Sequence, residues 1–327
     1  MSVRQWRLQT ALGQVQWLLE SGPSTFFTCV VWFLVIQGHL TLGSAVAFSM
    51  YFGMILPPFL SFAGIFQGLI AGLVPGERVL EFFARAKEAG RGLPRPRRPS
   101  TPLSVTFSEV SFSYDSGPNV LENTSFSIPA GSLTVVAGPS GEGKTTLLNL
   151  CCAMYAPAGG DIEIGEVSTA SVDPRQVRSL VSVAPQEPVL LSGTVRENLL
   201  YGNSAAGQAE IIKAAGLACA HEFIQQLPDG YDTELESEHV SLSVGQKHRL
   251  TLARALVRQT GLLLLDEPFA NVDSATEERL WENLARLKGR RTIIIATHRP
   301  PPKEYHEYTI AVKGRSAELF TEVGDPA

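Results

Sequence analysis

Between Ser21 and Gly76 there is no Asp, Glu, Lys or Arg, and no other feature of the 327 residues restricts the fold as strongly. A helix crosses a bilayer with about 20 apolar residues, so the stretch holds roughly two crossings. Spans are expected near residues 17–36 and 44–73, with Gln37, Gly38, His39 and Thr41 forming the polar turn between them. Arg4 and Arg7 flank one side; Arg78, Arg85, Lys87, Arg91, Arg95, Arg97 and Arg98 flank the other. Positive charge is retained on the cytoplasmic side, so both ends are expected in the cytosol of an integral membrane protein, with the cell membrane as the expected location. The adjacent Pro57 and Pro58 remove backbone donors and kink a membrane helix, which is tolerated where neighbouring helices supply partners.

The rest of the chain belongs in water. Charged residues make up 18% of the whole and the net charge is −5, values that suit neither a disordered chain nor a nucleic-acid binder. Cys29, Cys151, Cys152 and Cys219 show no metal-ligand spacing and no disulfide framework, and fit small buried residues in a reducing compartment. Residues 90–102 (GRGLPRPRRPSTP) have the composition of an extended linker. This divides the chain into a partial membrane domain at 1–89 and a second domain at 103–327.

In the second domain Val105, Phe107, Val110, Phe112 and Tyr114 suggest two short strands with an irregular step between them. After a turn at Gly117 and Pro118, a strand over residues 133–137 runs into GPSGEGKTT and then an apolar helix. That succession is what a phosphate-binding loop requires. In it Gly138, Pro139, Ser140, Gly141, Glu142, Gly143, Lys144, Thr145 and Thr146 wrap phosphates with backbone N–H groups, aided by the helix dipole. Lys144 is expected to reach the β and γ phosphates and Thr145 to hold Mg²⁺. The apolar run at 262–265 closes on Asp266, a second Mg²⁺ anchor, followed by Glu267, placed to polarise an attacking water. Residues 242–246 (LSVGQ) precede a helical pattern; alone, the segment reads as an ordinary serine cap. Ser274 and Glu277 suggest a capping box for a helix ended by Gly289. TIIIAT at 292–297 is a buried strand ending at His298, and beyond Pro300 one strand is expected, around 309–312.

Together these elements resemble the ATP-binding cassette of ABC transporters over about residues 105–298. The resemblance implies an α/β P-loop NTPase with an antiparallel β subdomain and a helical subdomain, preceded by two transmembrane helices. It further implies that Tyr114 stacks on adenine, that Gln186 senses Mg²⁺ and water, and that His298 contacts the γ-phosphate. Ser243, Gly245 and Gln246 would act on nucleotide held by a second cassette, identical or related, and Asp273 would couple the two facing sites. ATP and Mg²⁺ are the implied ligands. LPDGYDTEL at 227–235 and HLTLGSAVAFSMY at 39–51 are similar to the exporter branch, in which spans and cassette share one chain.

Three departures stand against that pattern. Val244 replaces a glycine of the signature, residues 235–241 (LESEHVS) lack a glycine-containing run, and two spans stand where the branch has six. The remaining helices would come from a longer form or another chain. Two readings therefore stay open: an ATP-hydrolysing exporter subunit embedded in lipid, or a truncated or regulatory nucleotide-binding ABC protein without transport activity of its own.

Overall fold

The structure is a computed structural model that describes residues 22–55, 58, 73, 75–77, 79–80, 101–114, 117–235, 241–299 and 302–321. The chain divides into two units, Met1–Glu88 and Ala89–Ala327.

In the first unit residues 22–36 (α1) and 42–55 (α2) are helical, separated by the turn that carries Gly38 and His39. Thr41 starts α2, its hydroxyl accepting the Ser44 N–H at 3.2 Å. Phe27 of α1 stacks on Phe52 of α2 with ring centroids 3.9 Å apart. Phe26, Trp32, Phe33, Ile36, Val46, Met50 and Met54 face outward, while Val31 and Ala45 are buried. No helix among the described residues is long and apolar enough to cross a membrane. Much of both expected spans, at 17–21 and 59–72, and most of the expected linker, at 90–100, lie outside the described residues.

The second unit holds two sheets. The first is antiparallel, in the order β2-β1-β4-β5, built from β1 (Val105–Ser113), β2 (Asn119–Ile128), β4 (Gly159–Ile164) and β5 (Val167–Ser168). Where two short strands were expected, β1 is a single strand with register shifts after Phe107 and Val110 and with Glu109 at φ 53°. The three-residue step from Phe107 to Val110 is a β-bulge, which keeps both side chains on the buried face. β2 was not expected at all. It repeats the device, burying Leu121, Thr124, Phe126 and Ile128, with the period of two broken around Asn123 at φ 44° and resumed from Thr124.

The second sheet runs β10-β9-β3-β8-β7-β6, from β3 (Leu133–Ala137), β6 (Val181–Ala184), β7 (Leu262–Asp266), β8 (Thr292–Ala296), β9 (Tyr308–Lys313) and β10 (Ser316–Thr321). All of its pairings are parallel except β9 with β10. Every residue of β7 and β8 is buried, as parallel strands covered on both faces require. Each such Leu or Ile contributes about 1.5–3 kcal/mol of apolar burial. The single strand expected near the end is instead a hairpin. Gly314 and Arg315, at φ 59° and 71°, make the two-residue turn whose twist suits paired strands.

Helices α3 (Lys144–Cys151), α4 (Pro174–Leu180), α5 (Val195–Leu200), α6 (Gln208–Leu217), α7 (His221–Gln225), α8 (Val244–Val257) and α9 (Ser274–Ala285) complete the unit. One apolar core joins α5 to α9 with one side of the parallel sheet. The other lies between the two sheets and α3. The capping box expected from Ser274 and Glu277 gives way to Asp273, whose carboxylate accepts the Thr276 N–H at 2.9 Å one residue earlier.

Candidate functional site

The strand order β3-β8-β7-β6 brings four strand ends into one row, since these strands are mutually parallel. The glycine loop follows β3, His298 follows β8, Asp266 and Glu267 end β7, and Gln186 lies exposed just past β6. Val136, Ala296 and Asp266 are successive register partners across three strands. The C-terminal edge of an open parallel sheet is where such folds bind ligands.

Gly143, left-handed at φ 105°, turns the chain directly into α3. The Lys144 ammonium is buried and donates to the carbonyls of Gly138 at 2.8 Å and Pro139 at 3.0 Å. Its charge is therefore solvated by loop carbonyls, an arrangement suited to accepting a phosphate. The Thr145 hydroxyl hydrogen-bonds the Asp266 carboxylate. Burial raises the Asp266 pKa, and the Thr145 hydrogen bond opposes that rise. Two adjacent oxygen donors, one of them a carboxylate, fit a hard divalent cation. Tyr114, just beyond β1, bonds the Thr146 hydroxyl at 2.9 Å and meets Tyr155 edge-on, the ring centroids 5.1 Å apart.

Glu267 has φ 48°, an uncommon conformation for a residue with a side chain. Its N–H is fixed by the Ala296 carbonyl at 2.9 Å, so the end of β8 clamps the turn after β7. The carboxylate lies 2.7 Å from His298 Nδ1, joining the two strand ends through side chains as well. With Nδ1 protonated, the imidazole donates to Glu267 and orients it.

Ser243, Gly245 and Gln246 begin α8. Ser243 and Gln246 form a reciprocal capping box, with bonds of 3.2 and 2.8 Å. Gly245 packs on the backbone of Asn271 and Val272, where a Cβ would stand 2.4 Å from the Asn271 carbonyl oxygen. The signature segment thus rests on the turn leading to Asp273 in its own chain. Asp273 is exposed, and its pKa is depressed chiefly by the Thr276 N–H it accepts.

Two residues that sequence reasoning passed over support the site. Asn198 is buried and ties the loop ahead of α5 through Leu191 and Thr194. Arg254 of α8 donates to the Val189 carbonyl at 2.8 Å and to the Asn198 carbonyl and side-chain oxygens at 2.9 and 2.8 Å. This links the signature helix to the segment downstream of Gln186. The only trace in the sequence is a cation interrupting the apolar ladder of α8.

Comparison with known proteins identifies a domain within this unit. Residues 121–270 match the ABC transporter family. Over that segment the chain carries an ABC transporter domain. The Bacillus subtilis (strain 168) ABC transporter ATP-binding protein YfiC is 34% identical over 294 residues, covering 89% of this chain and 49% of that protein. A fatty acid ABC transporter ATP-binding/permease protein of Mycobacterium bovis is 34% identical, covering 89% and 47%. A bacterial Atm1-family ABC exporter solved with ATP bound matches with a TM-score of 0.72 at 30% identity, covering 98% of this chain and 55% of that one. The chain spans about half the length of the curated relatives it matches. Within this cassette, Val244 occupies the first helical position of α8 and is exposed.

Proposed function

We propose that the chain is the ATP-hydrolysing cassette of an exporter-type ABC transporter, carried behind an apolar unit that sits in lipid. The observation that carries the reading is the 2.7 Å pairing of Glu267 with His298 on the strand row that also bears the glycine loop and Asp266. On this reading residues 1–89 form the membrane part and 103–327 the cassette.

The loop amides and Lys144 would hold the triphosphate, and Tyr114 the adenine. Thr145, Asp266 and Gln186 would hold Mg²⁺, which would supply positive charge to offset that of the triphosphate. Glu267 takes a proton from the attacking water, with His298 aligning its carboxylate. Ser243, Gly245 and Gln246 present a capped helix start, whose amide dipole suits the phosphate of a nucleotide on a second cassette, identical or related. Asp273, on the turn that packs against Gly245, would carry the closure of one site to the other. The outward apolar side chains of α1 and α2 support lipid, or helices of a longer form or another chain, as their surroundings.

The test is steady-state ATP hydrolysis and equilibrium nucleotide binding by the protein in lipid vesicles. Hydrolysis that falls in Glu267→Gln while binding persists supports the reading. Binding without hydrolysis in the parent protein favours a regulatory nucleotide-binding role, and no binding of Mg-ATP overturns both.

A further inference from the structure

The glycine loop carries a carboxylate, Glu142, two residues before Lys144, in a segment otherwise suited to gathering donors around an anion. The fold gives it a partner. Glu142 Oε2 accepts the Gly314 N–H at 3.0 Å, and Gly314 is the first residue of the turn between β9 and β10. The same hairpin grips the loop at its start, because Gly138 lies so close to β9 that a Cβ would stand 2.4 Å from the Val312 carbonyl oxygen. β9 also pairs directly with β3, the strand that delivers the loop. The turn is braced from its far side: the Arg315 carbonyl accepts the Glu122 N–H at 2.7 Å, and the Arg315 guanidinium pairs with the Glu122 carboxylate at 3.2 Å. Beside Glu142, Gly141 has φ 85° and open space where a Cβ would stand, so packing at that point does little to hold the crown of the loop.

We infer that Glu142 is a positioning residue that pins the crown of the phosphate loop to the C-terminal hairpin, so that this hairpin sets the loop's affinity for a nucleoside triphosphate. The bond restricts the loop before ligand arrives, which lowers the ordering cost of binding. It also directs a negative charge at the Gly314 amide. Glutamine at the same position keeps the accepting oxygen and removes the charge, whereas alanine removes both. The inference rests on the nucleotide-binding reading above.

The experiment compares the parent, Glu142→Gln and Glu142→Ala, each as the full chain in lipid, by Mg-ATP titration, by steady-state hydrolysis and by hydrogen exchange of the peptide around Gly314 without nucleotide. In Glu142→Ala the affinity for Mg-ATP should fall about threefold to tenfold, KM should rise by more than kcat falls, and the hairpin amides should exchange faster. Glu142→Gln should restore the hairpin protection and bring the affinity to within about twofold of the parent, or tighter. Equal affinities in the two variants, or unchanged hairpin exchange in Glu142→Ala, overturn the inference. Lys144→Ala serves as the control: if it binds Mg-ATP as well as the parent does, the nucleotide reading itself fails, while the exchange comparison still reports on the bond.

Discussion

Residues 22–36 and the strand Leu262–Asp266 are both almost wholly apolar, yet every residue of the strand is buried and only Val31 is buried in the helix. The strand lies between β8 and β6, with side chains packed on both faces of the sheet. Among the described residues the helix meets α2 through Phe27 and Phe52, and most of its side chains are exposed. Apolar composition thus states a demand for burial without naming what meets it. In the second unit the chain meets the demand itself; in the first unit the described helices leave apolar side chains exposed.

Four measurements can break or sharpen this contrast. The largest effect is expected from Glu267→Gln, which should slow hydrolysis about 10²- to 10⁴-fold and spare nucleotide binding if its carboxylate is the proposed proton acceptor. Hydrolysis at the parent rate would remove Glu267 from the reaction. Next, Leu264→Ala should cost about 2–5 kcal/mol in denaturant unfolding of the cassette, whereas Phe33→Ala should change the same transition by about 0.5 kcal/mol or less. A comparable loss from Phe33 would mean that α1 is part of the cassette's own stability.

Thiol labelling probes the same difference more gently. Burial pushes the Cys152 thiol up to about 11 and raises Cys151 too, while Cys29 is exposed. At pH 8 a pKa near 11 leaves on the order of 10⁻³ of the Cys152 thiol as reactive thiolate, so alkylation should stay slow and quicken as the pH rises toward 11. If lipid covers α1, a charged maleimide should leave Cys29 unmodified in vesicles and react after denaturation; rapid labelling in intact vesicles would expose that helix to water. The smallest effect should be common to both regions. Thr41→Ala and Thr194→Ala each remove a side-chain cap, on Ser44 and Glu197 respectively, and each should weaken its helix start by about 1 kcal/mol, read as faster amide exchange at those two residues. Capping is local, so it should not distinguish the two environments.

The residues of the candidate site stood out in the sequence because each sits where a strong local pattern stops. A run of buried residues ends at Asp266, another ends next to His298, and a third runs into the glycines before Lys144. β2 escaped notice because the bulge at Asn123 breaks its alternation, and β10 because half-exposed edge residues carry no clear period. The cap of α9 shifted from Ser274 to Asp273 because two neighbouring residues can both cap, and only the backbone geometry chooses between them.

From the order of its residues alone the chain specified a phosphate loop, an acidic strand tip, a terminal histidine and a long uncharged segment, since each of these is local in sequence. Tertiary structure decided which strand ends stand side by side, that Glu267 meets His298, that Gly245 must lie flat on Asn271, and that a hairpin near the end of the chain holds the loop of Glu142. Those relations join residues tens to more than a hundred positions apart. They follow from the order and register of the strands, which no local pattern encodes.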